Sequence, residues 1–287
     1  MTTISHNFSR QRDLSLHAEA IAAVQSIAAS RGIDVLIAGA FARDLHLRYG
    51  FGIAPLRQTE DIDIALAVPT WQAFDELRRQ LIASARFVEA SGIRHRLRYR
   101  GDGVELPIDI VPFGGLESTD RTIAWPPSGK EVMDVFGFRE AQDCGVAIML
   151  PGNVVINVVS LPALVVLKLV AWQARHYTAP RKDAYDLQFI IKHYLDAGNR
   201  ERLWAEFKAW TEADNFDYEM AGARMLGYDV STVLAAGGRE RVADLLLEQT
   251  DETRPGLLAS EMIANDAARA LALLRAVHQG IMENKPG

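Results

Sequence analysis

The spacing of apolar residues changes character near residue 160, and that change constrains the fold more than any other feature of the chain. Before it, short apolar runs and strictly alternating segments interleave with helical spacing; after it, only recurrences at three and four residues remain. Such a chain forms a mixed α+β domain followed by a helical one, with expected bounds 1–160 and 161–287. At 287 residues, two modest cores fit better than one growing core.

Within the first part, residues 14–31 carry helical spacing, ended near Gly32, and residues 33–38 form an apolar run of buried-strand type. Helical spacing returns over 40–49, a Gly- and Pro-containing loop spans 50–59, 61–68 reads as a second strand, and 71–86 as a helix. From Gly92 the period becomes two. Ile93, His95, Leu97 and Tyr99 alternate with Arg94, Arg96, Arg98 and Arg100, and the chain turns at Gly101-Asp102-Gly103. The return segment alternates as well, with Leu106, Ile108 and Ile110 opposed to Glu105, Pro107 and Asp109. A two-residue loop makes the two apolar sets coincide and places the arginines beside Glu105 and Asp109. A three-residue loop would set arginines against Ile108 and Ile110. Two or three more strands are expected between 132 and 159, then helices over 161–176, 182–194, 201–213 and 264–282.

Composition narrows the classes. With 49% hydrophobic and 24% charged residues the chain is neither disordered nor fibrous. A net charge of −6 argues against a dedicated nucleic-acid coat while permitting a local basic site. The lone Cys144 excludes an internal disulfide and a cysteine metal site, which suits a reducing cytoplasm. Residues 1–12 lack a secretory pattern, and the apolar stretch 154–172 is interrupted by Asn157, Ser160, Pro162 and Lys168, whereas a spanning helix needs about 20 apolar residues. A cytoplasmic protein without membrane contact is expected.

The sharpest chemical feature is Asp61-Ile62-Asp63-Ile64. In a strand the two carboxylates share a face, roughly 6.6 Å apart, where like charge and desolvation both disfavour ionisation. A divalent cation resolves that conflict, and oxygen ligands of this kind suit Mg²⁺ or Mn²⁺. The alternative is a solvated edge-strand face. A third acid, Asp109, stands in a second apolar β-run, so one cluster of Asp61, Asp63 and Asp109 is expected, converging on a metal. Upstream, the Gly39-Ala40 junction between strand and helix offers backbone N–H groups to phosphate, with Arg43 one turn further. Gly39 serves close strand-to-helix packing equally well. Walker, Rossmann, zinc-ligand and Gly-x-Ser-x-Gly patterns do not occur.

Strand, Gly-Ala junction, helix, Asp-x-Asp strand and a later lone Asp together resemble the nucleotidyltransferase fold of the polymerase-β type. That fold ordinarily carries Gly-Gly or Gly-Ser where this chain has Gly39-Ala40. The block Ser160-Leu161-Pro162, Lys168, Arg175 and Lys182-Asp183-Ala184-Tyr185-Asp186-Leu187 resembles the helical half of the AbiEii/AbiGii nucleotidyltransferase toxins. The resemblance covers about residues 30–195. It implies a bacterial toxin of a toxin–antitoxin or phage-defence system that transfers NMP from an NTP to an acceptor hydroxyl, with a tRNA 3′ end as the expected acceptor and an antitoxin as an expected partner. In that scheme Asp61, Asp63, Asp109 and Asp186 are catalytic, and Gly39, Ala40, Arg43, Lys168 and Lys182 bind nucleotide. Read without the resemblance, Lys182 and Asp186 are an intrahelical ion pair. The arginine stripe from Arg94 to Arg100 either tracks an RNA backbone or is a solvated face. A protein or small-molecule acceptor, a silent nucleotide- or partner-binding module and a metal phosphohydrolase are the competing functions.

Overall fold

The computed structural model describes residues 3–55, 59–101, 103–179, 181–251, 256–263 and 266–283. The middle of the expected hairpin turn (102), part of the 50–59 loop (56–58) and the first residues of the last expected helix (264–265) lie outside them. The chain divides into two compact units, Met1–Leu45 with Leu56–Ser160, and His46–Pro55 with Leu161–Gly287.

The first unit is built on an eight-stranded mixed sheet. Its strands are β1 (Ile4–Asn7), β2 (Asp34–Ala38), β3 (Ile62–Val68), β4 (Phe87–Glu89), β5 (Arg96–Gly101) and β6 (Val104–Gly114), with β9 (Val146–Leu150) and β10 (Val154–Val158) after the separate ribbon of β7 (Thr122–Ala124) and β8 (Val132–Asp134). The spatial order is β1-β9-β10-β2-β3-β6-β5-β4. At the centre, β2 runs antiparallel to β3, β3 parallel to β6, and β6 antiparallel to β5. Helices α1 (Ser15–Ala29), α2 (Gly39–Asp44), α3 (Trp71–Ala83) and α4 (Phe138–Asp143) complete the unit.

The registers give the central strands two unlike faces. Ile62 pairs with Ile108, Ile108 with Leu97, and Ile64 with Ile110. These side chains are at most 1% exposed. Full burial of each isoleucine is worth about 1.5–3 kcal/mol. One residue along, Asp63 pairs with Asp109 and Asp109 with Arg96, so the opposite face carries the charge. Helix α3 is capped by Thr70, whose hydroxyl accepts the Ala73 N–H at 3.2 Å, and it buries the stripe Phe74, Leu77 and Leu81. Arg31, just beyond α1, donates to Gln80 at 3.0 Å and Glu76 at 2.9 Å, tying the two helices together.

The hairpin register is the one expected from a two-residue loop, with Arg100 opposite Glu105 and Arg96 opposite Asp109. Its first strand starts later than the period-two pattern predicts: β5 opens at Arg96, because residues 91–95 turn instead of extending. Arg94 therefore leaves the stripe and donates to Asp75 at 2.7 Å and the Pro126 carbonyl at 2.8 Å.

The second unit is helical, comprising α5 (Leu161–Arg175), α6 (Lys182–His193), α7 (Arg200–Glu206), α8 (Lys208–Thr211), α9 (Tyr218–Val233), α10 (Ala236–Gln249), α11 (Leu257–Met262) and α12 (Ala267–Glu283). The single helix expected over 201–213 is two short ones. Helices α9 and α12 cross in close contact: a Cβ on Gly227 would stand 2.0 Å from the Val277 carbonyl oxygen, and one on Gly280 1.9 Å from that of Arg224. Only glycine permits that backbone approach. No helix among the described residues is long and apolar enough to cross a membrane.

Candidate active site

The charged face of the sheet gathers the expected acids. Asp61 immediately precedes β3, Asp63 lies within it, and Asp109 lies opposite Asp63 on the parallel neighbour β6. Asp63 also pairs in register with Ala38, the last residue of β2, so it sits at the junction where α2 begins. Gly39 opens that helix at φ +66°, and a Cβ there would lie 1.7 Å from Asp63 Oδ2. Two independent constraints thus demand glycine: a left-handed backbone and a carboxylate packed against the α-carbon. The Gly39 turn and the Asp-x-Asp strand are one structural feature.

Into this acid face reaches a residue that the sequence had placed in a surface stripe. Arg96 on β5 donates from Nε to Asp109 Oδ1 and from Nη2 to Asp109 Oδ2, both at 2.6 Å, and from the same Nη2 to Asp61 Oδ2 at 3.0 Å. The hydrogen bonds to Asp109 hold the Arg96 proton more tightly than usual against the cost of burial, and the charges of Asp109, Asp61 and Asp63 add to that hold. Among the described residues no group of three or more metal-ligating side chains converges to hold an ion, and the hairpin register sets a guanidinium directly opposite Asp109. The donor chemistry nonetheless fits a divalent cation: three hard carboxylates on one face, two of which already gather one positive group. The signal for Arg96 was present in the sequence, since the register that matched arginines to acids pairs 96 with 109.

Arg43 takes a buried place. At 1% exposure it donates through Nε and Nη2 to Asp44 Oδ1 at 2.8 and 2.6 Å, and Thr59 Oγ1 donates to the other oxygen of Asp44 at 2.6 Å. The network ties α2 to the segment two residues ahead of Asp61. Sequence reasoning missed Asp44 and Thr59; neither carries a periodic signal.

The rest of the arginine stripe is partly compensated. Arg98 and Arg100 share Glu105, at 3.2 and 3.0 Å.

In the helical unit, Lys168 of α5 is 4% exposed and its Nζ meets Asp183 Oδ1 at 3.1 Å and Asp186 Oδ2 at 2.5 Å, both on α6. Arg175, seven residues along α5, donates to both oxygens of Asp183 at 2.7 and 2.8 Å. Burial opposes the charge on Asp183, but the hydrogen bonds from Arg175 and the positive charges of Lys168 and Arg175 hold its carboxyl below the usual carboxylate range. Asp186 pairs across the helices with Lys168, which replaces the intrahelical Lys182–Asp186 pair considered from sequence. Lys182 is half-buried at the start of α6.

A mixed sheet presenting Asp-x-Asp against a glycine turn, with a third acid on the adjoining parallel strand, is the arrangement expected of a nucleotidyl-transferring enzyme. The chain belongs to the family described as nucleotidyl transferase AbiEii toxin, type IV TA system, whose model matches residues 28–276, and it is a nucleotidyltransferase. Among solved structures, ANT(2″)-Ia in complex with adenylyl-2″-tobramycin is similar at 16% identity, over 68% of this chain and 98% of that one, with a TM-score of 0.38. An H. pylori protein assigned as a nucleotidyltransferase is similar at 14% identity over 95% and 98% of the two chains, TM-score 0.37. The Thermotoga maritima CCA-adding enzyme complexed with tRNA is similar at 13% identity over 91% and 79%, TM-score 0.23. At these scores they stand as likenesses and carry no weight below. No curated protein matches the chain.

Proposed function

We propose that this chain is a metal-dependent toxin that transfers a nucleoside monophosphate from an NTP to an acceptor hydroxyl, with the acid face of the sheet as its catalytic centre. The observation carrying this reading is the side-by-side placement of Asp63 and Asp109 on parallel strands, with Asp63 packed against the Gly39 turn. Asp61, Asp63 and Asp109 would hold Mg²⁺ or Mn²⁺. When bound, the cation supplies Lewis-acid stabilisation of charge developing on the transferred phosphoryl group. The acceptor oxygen attacks the α-phosphorus, the bond to the α,β-bridging oxygen breaks, and pyrophosphate departs. A carboxylate oxygen of Asp109 takes the acceptor's proton. Gly39 and Ala40 present backbone to the phosphates, while Arg43, through Asp44 and Thr59, fixes the approach to Asp61. Assignment of Lys168, Lys182 and Asp186 to nucleotide handling rests on the resemblance of the Lys182-Asp183-Ala184-Tyr185-Asp186 block to the helical half of these toxins.

For the acceptor we retain a tRNA 3′ end, with an antitoxin as the natural partner. One observation favours a protein or small-molecule acceptor instead: Arg98 and Arg100 share Glu105, which cancels one of their two charges, and Arg94 is off the strand, which weakens an RNA-tracking stripe. Incubation of the full chain with Mg²⁺ and each α-labelled NTP, in the presence of total tRNA, cell protein or cell metabolites, decides between them. Label is expected in tRNA and absent with Asp61→Ala; label in a protein or metabolite fraction alone moves the acceptor to that class, and label nowhere defeats the enzymatic reading.

A further inference from the structure

Arg96 is unusual among the charged residues of the sheet because its position is that of a cation and its exposure is that of a movable group. Its backbone is fixed in the interior of the sheet, flanked by β4 and β6. Its side chain is 30% exposed, against 13% for Asp109 and 20% for Asp61. It makes bidentate contact with one carboxylate and a third contact with the other, each charge-assisted and well aligned. Any ion approaching Asp61 and Asp109 meets oxygens already engaged.

Resting on the metal-dependent reading of the acid face, we propose that Arg96 is its resident counter-cation and that a divalent ion binds by exchange, releasing the guanidinium from Asp61 and Asp109. Charge drives the exchange. A divalent ion carries two charges in a small radius where the guanidinium spreads one over a plane, and it accepts oxygens from several directions at once. The cost is breaking three charge-assisted hydrogen bonds, so the affinity of the free protein for metal is set low. Once released, Arg96 remains anchored on β5 beside the site, a bidentate donor suited to a phosphate brought in with the metal. Arg98, the next outward residue of the strand, pairs with Glu105 and has no part in this exchange.

The test is Mn²⁺ binding to the full chain without nucleotide, followed by isothermal titration and by the loss of the free-ion electron paramagnetic resonance signal. Arg96→Gln is expected to bind Mn²⁺ about tenfold more tightly than wild type or better, the removal of charge-assisted contacts worth at least one decade. Arg96→Lys, which keeps the charge but loses the planar fork, falls between them and serves alone should the glutamine variant not fold. Arg98→Gln matches wild type. Equal or weaker binding by Arg96→Gln and Arg96→Lys overturns the exchange while leaving the acid face a metal site. Absence of Mn²⁺ uptake by every variant and by wild type defeats both the exchange and the metal-dependent reading.

Discussion

The molecule holds two clusters of charge, and they are built on opposite terms. On the sheet, Asp61, Asp109 and Arg96 are part-exposed, and a single guanidinium on β5 joins acids from two other segments. In the helical unit, Lys168, Asp183 and Asp186 are at most 5% exposed at their side chains and are held by contacts between α5 and α6, with Arg175 adding two bonds from the surface. Water can replace a partner in the first cluster; in the second, a lost partner leaves an uncompensated charge in the interior. The contrast separates a part-exposed arrangement from one whose buried ion pairs join two helices, although both read in the sequence as acids and bases among apolar residues.

That contrast breaks most visibly at Lys168. Lys168→Met removes the cation common to two buried carboxylates and should cost about 3–5 kcal/mol, read as a lower urea midpoint. A loss under about 1 kcal/mol would show that the helical cluster is as tolerant as a surface pair. Next comes Asp183. Its carboxyl is held below the ordinary range, so its contribution is full above the unfolded value of about 4 and is lost as pH falls through the lowered native value. Asp183→Asn should be about 2–3 kcal/mol less stable than wild type at pH 7. Urea midpoints of the two proteins should keep that gap down to about pH 4 and converge below it; a gap that widens in acid would invert the assigned sign.

Gly39→Ala is a smaller perturbation in energy with a larger reach in function. The added Cβ meets the Asp63 carboxylate and a left-handed backbone, so about 1–3 kcal/mol of stability should go, together with most nucleotide transfer, as Asp63 is pushed aside. Transfer at wild-type rate would separate the glycine turn from the acid site. The smallest effect belongs to Arg100→Ala. At 59% side-chain exposure its pair with Glu105 is worth less than about 1 kcal/mol, and thermal melting should barely register the change.

Much of the sheet was legible because its centre is buried on one face: the alternation around Ile62, Ile64, Ile108 and Ile110 marked both strands, and that of the hairpin set the register of β5 on β6. The same pattern named Asp61, Asp63 and Asp109. The peripheral pieces were not legible. β1 and β4 are short edge strands, and Ile4–Asn7 is largely exposed, so nothing enforces alternation there. Arg43 was named as a phosphate contact, but its buried pairing with Asp44 escaped, since Asp44 is held in turn by Thr59, fifteen residues on, a tertiary contact no local period encodes. Arg96 lay between these cases: the register placed it beside Asp109, yet its membership in a run of four alternating arginines disguised it as surface.

The central claim is that the acid face exists for chemistry and not for stability. Asp63→Asn, compared with wild type in one preparation for thermal midpoint and for transfer of label from α-labelled NTP in Mg²⁺, tests it most directly. Removing one of three like charges should leave the midpoint unchanged or raised while transfer disappears. Transfer that persists, or a midpoint that collapses with it, would contradict the account.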